Sequence, residues 1–168
     1  MNALLKTFTF FIITVLFFCC SPKSEETKRY LDATNSIKFE LDQIDSTIYD
    51  TYMSTFLNLD HELYGDYTSK EFESFIKESK KTYDNLLYRI DTLESSVLFR
   101  NVQTSLRNLV VFQKEGLDTY YTKILSLSEI DKSIDDDYNM HFKKLEKKLF
   151  IAQIQLANEH GIEIVNSK

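Results

Sequence analysis

From Ile37 to Leu63 an apolar or aromatic residue returns every three or four positions: Ile37, Leu41, Ile44, Ile48, Tyr52, Phe56, Leu59 and Leu63. That spacing lines one side of a helix with 3.6 residues per turn, and it does not fit a strand, whose faces alternate every second residue. The stripe predicts a helix of about nine turns. Gly65 closes it, a residue suited to the left-handed conformation that ends many helices.

Little in the chain interrupts helices of this length. Three glycines and one proline serve 168 residues, whereas sheets and loop-rich folds place many more of both at their turns. Long helices with few, short connections tolerate such scarcity. "TSKE", Thr68 to Glu71, has the form of a capping box and opens a second stripe, Phe72, Phe75, Ile76, Tyr83, Leu86, Leu87, Ile90 and Leu93. A second box-like element, "DTLE" at Asp91 to Glu94, marks a break or a tight connection. The third stripe runs Leu98, Val102, Leu106, Leu109, Gln113, Leu117, Tyr120, Ile124 and Leu127, with Gly116 inside it and no change of phase. Such a glycine costs about 1 kcal/mol relative to alanine, and it is expected at a close helix contact or a kink. Ser128 and Ser133 offer caps before the fourth stripe, Ile130, Ile134, Tyr138, Phe142, Leu145, Leu149, Ala152 and Leu156, which Gly161 ends.

Connections this short force successive helices to run antiparallel. The expected fold is therefore all-α, an up-down-up-down four-helix bundle with helices about 45 Å long. A chain of this size buries roughly two thirds of its unfolded surface and needs neither metal nor disulfide to fold. The bundle domain is expected over residues 28–168. The net charge of -6 becomes -7 when the N-terminal segment with Lys6 is removed. An acidic chain argues against nucleic acid as a partner.

Residues 1–19 read as a signal segment. Lys6 precedes the uncharged run "TFTFFIITVLFF", which is too short for a spanning helix and fits the apolar region of a secretory signal. The run stops at Cys19 and Cys20, the only cysteines. A disulfide between adjacent cysteines is strained, and two thiols without nearby histidine are too few for a closed zinc site.

The arrangement resembles the lipobox of bacterial lipoproteins, an apolar residue at -3 and a small residue at -1 before the cysteine that is lipidated. Cys20 as the modified residue places Cys19 at -1 and Phe17 at -3; the alternative, Cys19, places Leu16 at -3 and bulky Phe18 at -1. The resemblance implies export, a permanent acyl anchor carrying palmitate or similar chains, and a place in the bacterial cell envelope, at the outer membrane. Residues 20–27, "CSPKSEET", are then expected as a polar tether. Within it "KSEE" resembles an acidic signal that sends lipoproteins to the cell surface, and reads equally as the charged first turn of a helix. The C-terminal stretch from Phe150 to Ile164, with Ala152 and Gln153, then Ala157 and Gly161, resembles the ending of small helical envelope lipoproteins.

No reaction centre emerges from spacing. Di-iron bundles use Glu-x-x-His, but Asn58, Tyr138 and Ala157 stand three residues before His61, His141 and His160. A haem clamp between Met140 and His141 fails because helical neighbours point apart. Asp135, Asp137, Asn139 and Glu146 fall at positions 1, 3, 5 and 12 of a calcium loop, yet Met140 occupies the glycine position and the helical stripe continues through them. No G-x-S-x-G or phosphate-cradling glycine loop occurs. The expectation is a lipid-anchored, non-catalytic helical module with no cofactor or metal, which offers a surface to an envelope protein. The alternative is a small-ligand or metal-binding envelope protein, with an inter-helix cavity lined by tyrosines together with Gln113 or Gln153.

Overall fold

A computed structural model describes residues 22–56, 69–93, 96–121 and 132–162. Cys19, Cys20, His61, Gly65 and Ser128 lie outside them. The described residues are all-α and contain no strand: α1 (Pro22–Phe56), α2 (Ser69–Asp91), a 3₁₀ turn (Val97–Phe99), α3 (Arg100–Gly116), a π-helical turn (Leu117–Tyr121) and α4 (Lys132–Glu159).

α1 starts at Pro22, earlier than the tether reading of residues 20–27 expects. The chain favours this start. Proline at the first helical position loses only an N–H that has no intrahelical partner, and Glu25 in the first turn complements the positive end of the helix. Farther along, Tyr30, Leu31, Thr34, Ile37, Leu41 and Ile48 are buried on one side. The buried threonine is satisfied locally, with Thr34 Oγ1 donating to the Leu31 carbonyl at 2.9 Å.

The facing stripes close a single core. Tyr83, Leu86 and Ile90 of α2, Val102, Leu106, Leu109 and Val110 of α3, and Leu149, Ala152, Leu156 and Ala157 of α4 meet the inner face of α1. α3 packs against each of the other three helices, and α1 also meets α2 and α4. Fully burying one leucine-sized side chain is worth about 1.5–3 kcal/mol, so this apolar face dominates the exposed ion pairs beside it. Those pairs record which residues stand level. The Arg89 guanidinium grips the Glu40 carboxylate with two nitrogens, Lys114 reaches Asp84 at 2.5 Å, and Lys38 reaches Glu146 at 2.8 Å.

The connections follow different chemistry from the one their motifs suggest. "DTLE" falls at the break it marks, but it supplies no cap for the next turn. Asp91 is the last residue of α2 and accepts from Arg107 Nε at 3.0 Å. Thr92 Oγ1 donates back to the Arg89 carbonyl. The cap comes later, from Ser96, whose hydroxyl accepts from the Leu98 amide in front of the 3₁₀ turn. Phe99 closes that turn by burying its ring against Tyr30, 4.2 Å between centroids. Ser133 falls inside α4 and not before it.

At Gly161 and Gly116 sequence and structure agree. Gly161 adopts φ +66°. The Ile162 amide donates to Ala157 O at 2.8 Å and the Gly161 amide to Asn158 O at 3.2 Å. This paired arrangement satisfies the last carbonyls of α4 and folds Ile162 onto the core. Gly116 stands at a close helix contact, as its place in the stripe predicts. The α-helical pitch nevertheless ends there and widens into the π turn.

Candidate functional site

Three polar side chains, from α2, α3 and α4, gather near Gly116, and the charge of a fourth, from α1, reaches two of them. Tyr83 of α2 is fully buried, and its hydroxyl donates to Gln113 Oε1 of α3 at 3.4 Å. Tyr138 of α4 lays its ring over Gly116, where a Cβ would stand 2.7 Å from Cε2 and 2.8 Å from the hydroxyl oxygen. The same ring stacks on Phe112, 4.9 Å between centroids. Asp45 of α1 is half-buried, and its charge reaches both phenols.

Local sequence explains each position. Asp45 lies four residues after Leu41 and three before Ile48, within the arc that α1 turns inward. Gln113 continues the run Leu106, Leu109, Val110 and is as buried as they are. Glycine at 116 leaves room for the Tyr138 ring, which a side chain would displace.

The electrostatics follow from burial. Burial pushes the Asp45 carboxyl up to about 6; the charges of Asp42 and Glu146 add to this, and Lys38 opposes it. Burial likewise raises the Tyr83 and Tyr138 phenols far above their ordinary range, with the Asp45 charge second in each case. Both phenols therefore remain neutral donors at every physiological pH. The amide nitrogen of Gln113 is buried and has no hydrogen-bond partner among the described residues. The cluster thus contains one carboxyl that changes charge near neutrality, two neutral phenols and one spare amide donor.

The other residues that the sequence singles out stand apart from this cluster. Gln153 lies at the surface between α1 and α4, donating to Asn35 Oδ1 at 2.9 Å and to Thr34 Oγ1 at 3.4 Å. His141 is exposed and stacks on Phe112 at 4.8 Å, and His160 sits in the turn after α4. Asp137, Asn139 and Glu146 belong to the continuous helix α4, with Glu146 bound to Lys38, and Asp137 lies on the opposite side from the other two, so they form no calcium loop. Among the described residues no three His, Cys, Asp or Glu side chains come together to hold a metal ion. The expected lipidation sites, Cys20 and its alternative Cys19, fall outside the described residues.

Two open grooves mark the surface. One, of about 360 Å³, runs between α1 and α2 over Ile44 and Phe75, with Glu40, Gln43, Glu78 and Thr82 on its rim. The second, of about 450 Å³, runs between α1 and α4 over Leu149 and Phe150, and carries Lys38, Lys143 and Lys147. The run Lys143, Lys144, Lys147, Lys148 is a local basic stretch that the overall negative charge conceals.

Among the described residues no helix is long and apolar enough to cross a membrane. No family model, no curated protein and no solved structure matches the chain.

Proposed function

We propose that the chain is a lipid-anchored, non-catalytic helical protein of the bacterial cell envelope, built as an up-down-up-down four-helix bundle, that holds its helical surface out to another envelope protein. The observation that carries this reading is the uncharged, largely apolar run from Thr7 to Phe18, preceded by Lys6 and ending on Cys19 and Cys20, with the first described helix starting at Pro22. Asp84 pairs with Lys114 and Asp91 with Arg107, and Asn35 pairs with Gln153 and Lys38 with Glu146; in each set the order reverses along the second helix, which supports opposite directions for α2 and α3 and for α1 and α4. Phe39, Tyr88, Met140 and Phe150 are large apolar side chains left on the outside, available to a partner.

Anchoring is through Cys20, with Cys19 the alternative, at the outer membrane. Several acyl chains at about 0.8 kcal/mol per buried methylene make such an anchor effectively permanent. The experiment is metabolic labelling with radioactive palmitate. The wild type takes up label and a Cys19→Ala, Cys20→Ala double variant does not; an unlabelled wild type, or a labelled double variant, sinks the reading. Crosslinking in intact cells then identifies the partner, and mass spectrometry of the mature N-terminus assigns the modified cysteine.

A second reading, binding of a small polar ligand between the helices, has the spare Gln113 donor beside Tyr83 in its favour. A melting temperature that rises with an added metabolite in wild type but not in Gln113→Leu would place it first.

A further inference from the structure

The helix that follows the anchor begins two residues after Cys20, which leaves Ser21 as the only residue between a lipidated Cys20 and a continuous 35-residue helix. No flexible spacer then separates lipid from fold. The end of the molecule that carries Pro22 must sit against the bilayer surface.

One aromatic contact identifies what shares that end. The Tyr30 ring stacks on Phe99, with centroids 4.2 Å apart, and its hydroxyl donates to the Phe99 carbonyl. At 1.5 Å per residue this sets the 3₁₀ turn within about 12 Å of Pro22 along the α1 axis. The two residues before Phe99 are apolar and face outward: Val97 is 74% exposed and Leu98 49%. They follow Ser96, whose hydroxyl holds the Leu98 amide and so fixes the turn that presents them. An apolar pair at the tip of a rigid turn has no role in the core, which Phe99 alone enters from this turn.

We infer that Val97 and Leu98 are a lipid-contacting tip: the rod leans on its anchor until this pair enters the headgroup layer. The inference rests on the lipid-anchor reading above. Two contacts, acyl chains at one corner and an apolar turn at another, fix the tilt of the rod, whereas an anchor alone leaves it free to swing. Amphipathic insertion of this kind needs only shallow burial of a few apolar side chains.

The chain contains no tryptophan, so single-tryptophan variants report position directly. Full-length, lipidated Leu98→Trp and Thr119→Trp proteins are reconstituted into vesicles of phosphatidylethanolamine and phosphatidylglycerol, some of it brominated near the headgroup end of the acyl chain. Thr119 is exposed in the π turn, about 30 Å along the rod from the 3₁₀ turn. The Leu98→Trp indole should emit to the blue of the Thr119→Trp indole and be quenched by the brominated lipid about threefold more. Adding Val97→Asp to Leu98→Trp should remove that difference while the protein still floats with the vesicles. Equal emission and quenching at both positions in protein that floats overturns the tip. Protein that does not float at all overturns the anchor reading and the tip with it.

Discussion

The Tyr138 ring rests directly on Gly116, close enough that the smallest possible side chain at 116 would overlap its edge and its hydroxyl. Gly116→Ala gains about 1 kcal/mol of helix propensity but must push aside a ring held by Phe112. The overlap should win, giving a net loss of about 1 kcal/mol by urea denaturation. Removing the ring in Gly116→Ala, Tyr138→Leu should make the alanine stabilising relative to Tyr138→Leu alone. An alanine that stabilises the wild-type background would refute the contact.

Asp45 sets a pH dependence of unusual sign. Its carboxyl is raised to about 6, so the folded chain holds this proton more tightly than the unfolded chain does. Stability from this group is therefore full below about pH 4 and is lost as the pH rises through 6. Asp45→Asn should abolish that fall and stabilise the protein at neutral pH by on the order of 1–2 kcal/mol. The comparison is wild type against variant by chemical denaturation on both sides of the transition; parallel curves would count against it.

Glu40 acts in the opposite direction. The hydrogen bonds from Arg89 hold its carboxyl below the usual range, so its contribution is present at neutral pH and is lost on acidification through the folded value. Both side chains are about two-fifths exposed. Glu40→Gln should thus cost no more than about 0.5 kcal/mol by urea denaturation, and less in high salt.

Tyr83 and Gln113 are coupled through one buried hydrogen bond. Tyr83→Phe leaves the Gln113 oxygen unpaired, and Gln113→Leu leaves the Tyr83 hydroxyl unpaired. Each should cost about 1–2 kcal/mol, and the double variant less than the sum because no polar atom is then stranded. Additive losses in the cycle would mean the two do not share that bond.

The core is legible in the sequence because burial follows period. Ile37, Leu41, Ile48, Tyr83, Leu106 and Leu149 are all stripe positions, and all are buried. Asp45 is hidden by its neighbour: Ile44 occupies the stripe, but the inward arc of α1 passes between the two, leaving both half-buried. Gln113 is visible as a polar residue in phase with leucines, whereas its partnership with Tyr83 is not, since nothing local says which helix faces which. The cap at Ser96 escapes the motif for a chemical reason. "DTLE" has capping residues at the right spacing, but Asp91 is already committed to ending α2 and binding Arg107.

The π turn at Leu117–Tyr121 is invisible to a reading by spacing, because the apolar positions Leu117, Tyr120 and Ile124 keep the three- and four-residue intervals of an α-helix through it. Such a turn uses one residue more than an α-helical turn to cover the same arc. It is slack held in the backbone, and within the described helices it makes this a place where the chain can lose a residue with little disturbance. Deleting Thr119 would let α3 close up into ordinary pitch with Leu117 and all that precedes it unmoved. The same deletion in the middle of α2 would turn every later side chain by about 100° and bring Ile90 out of the core.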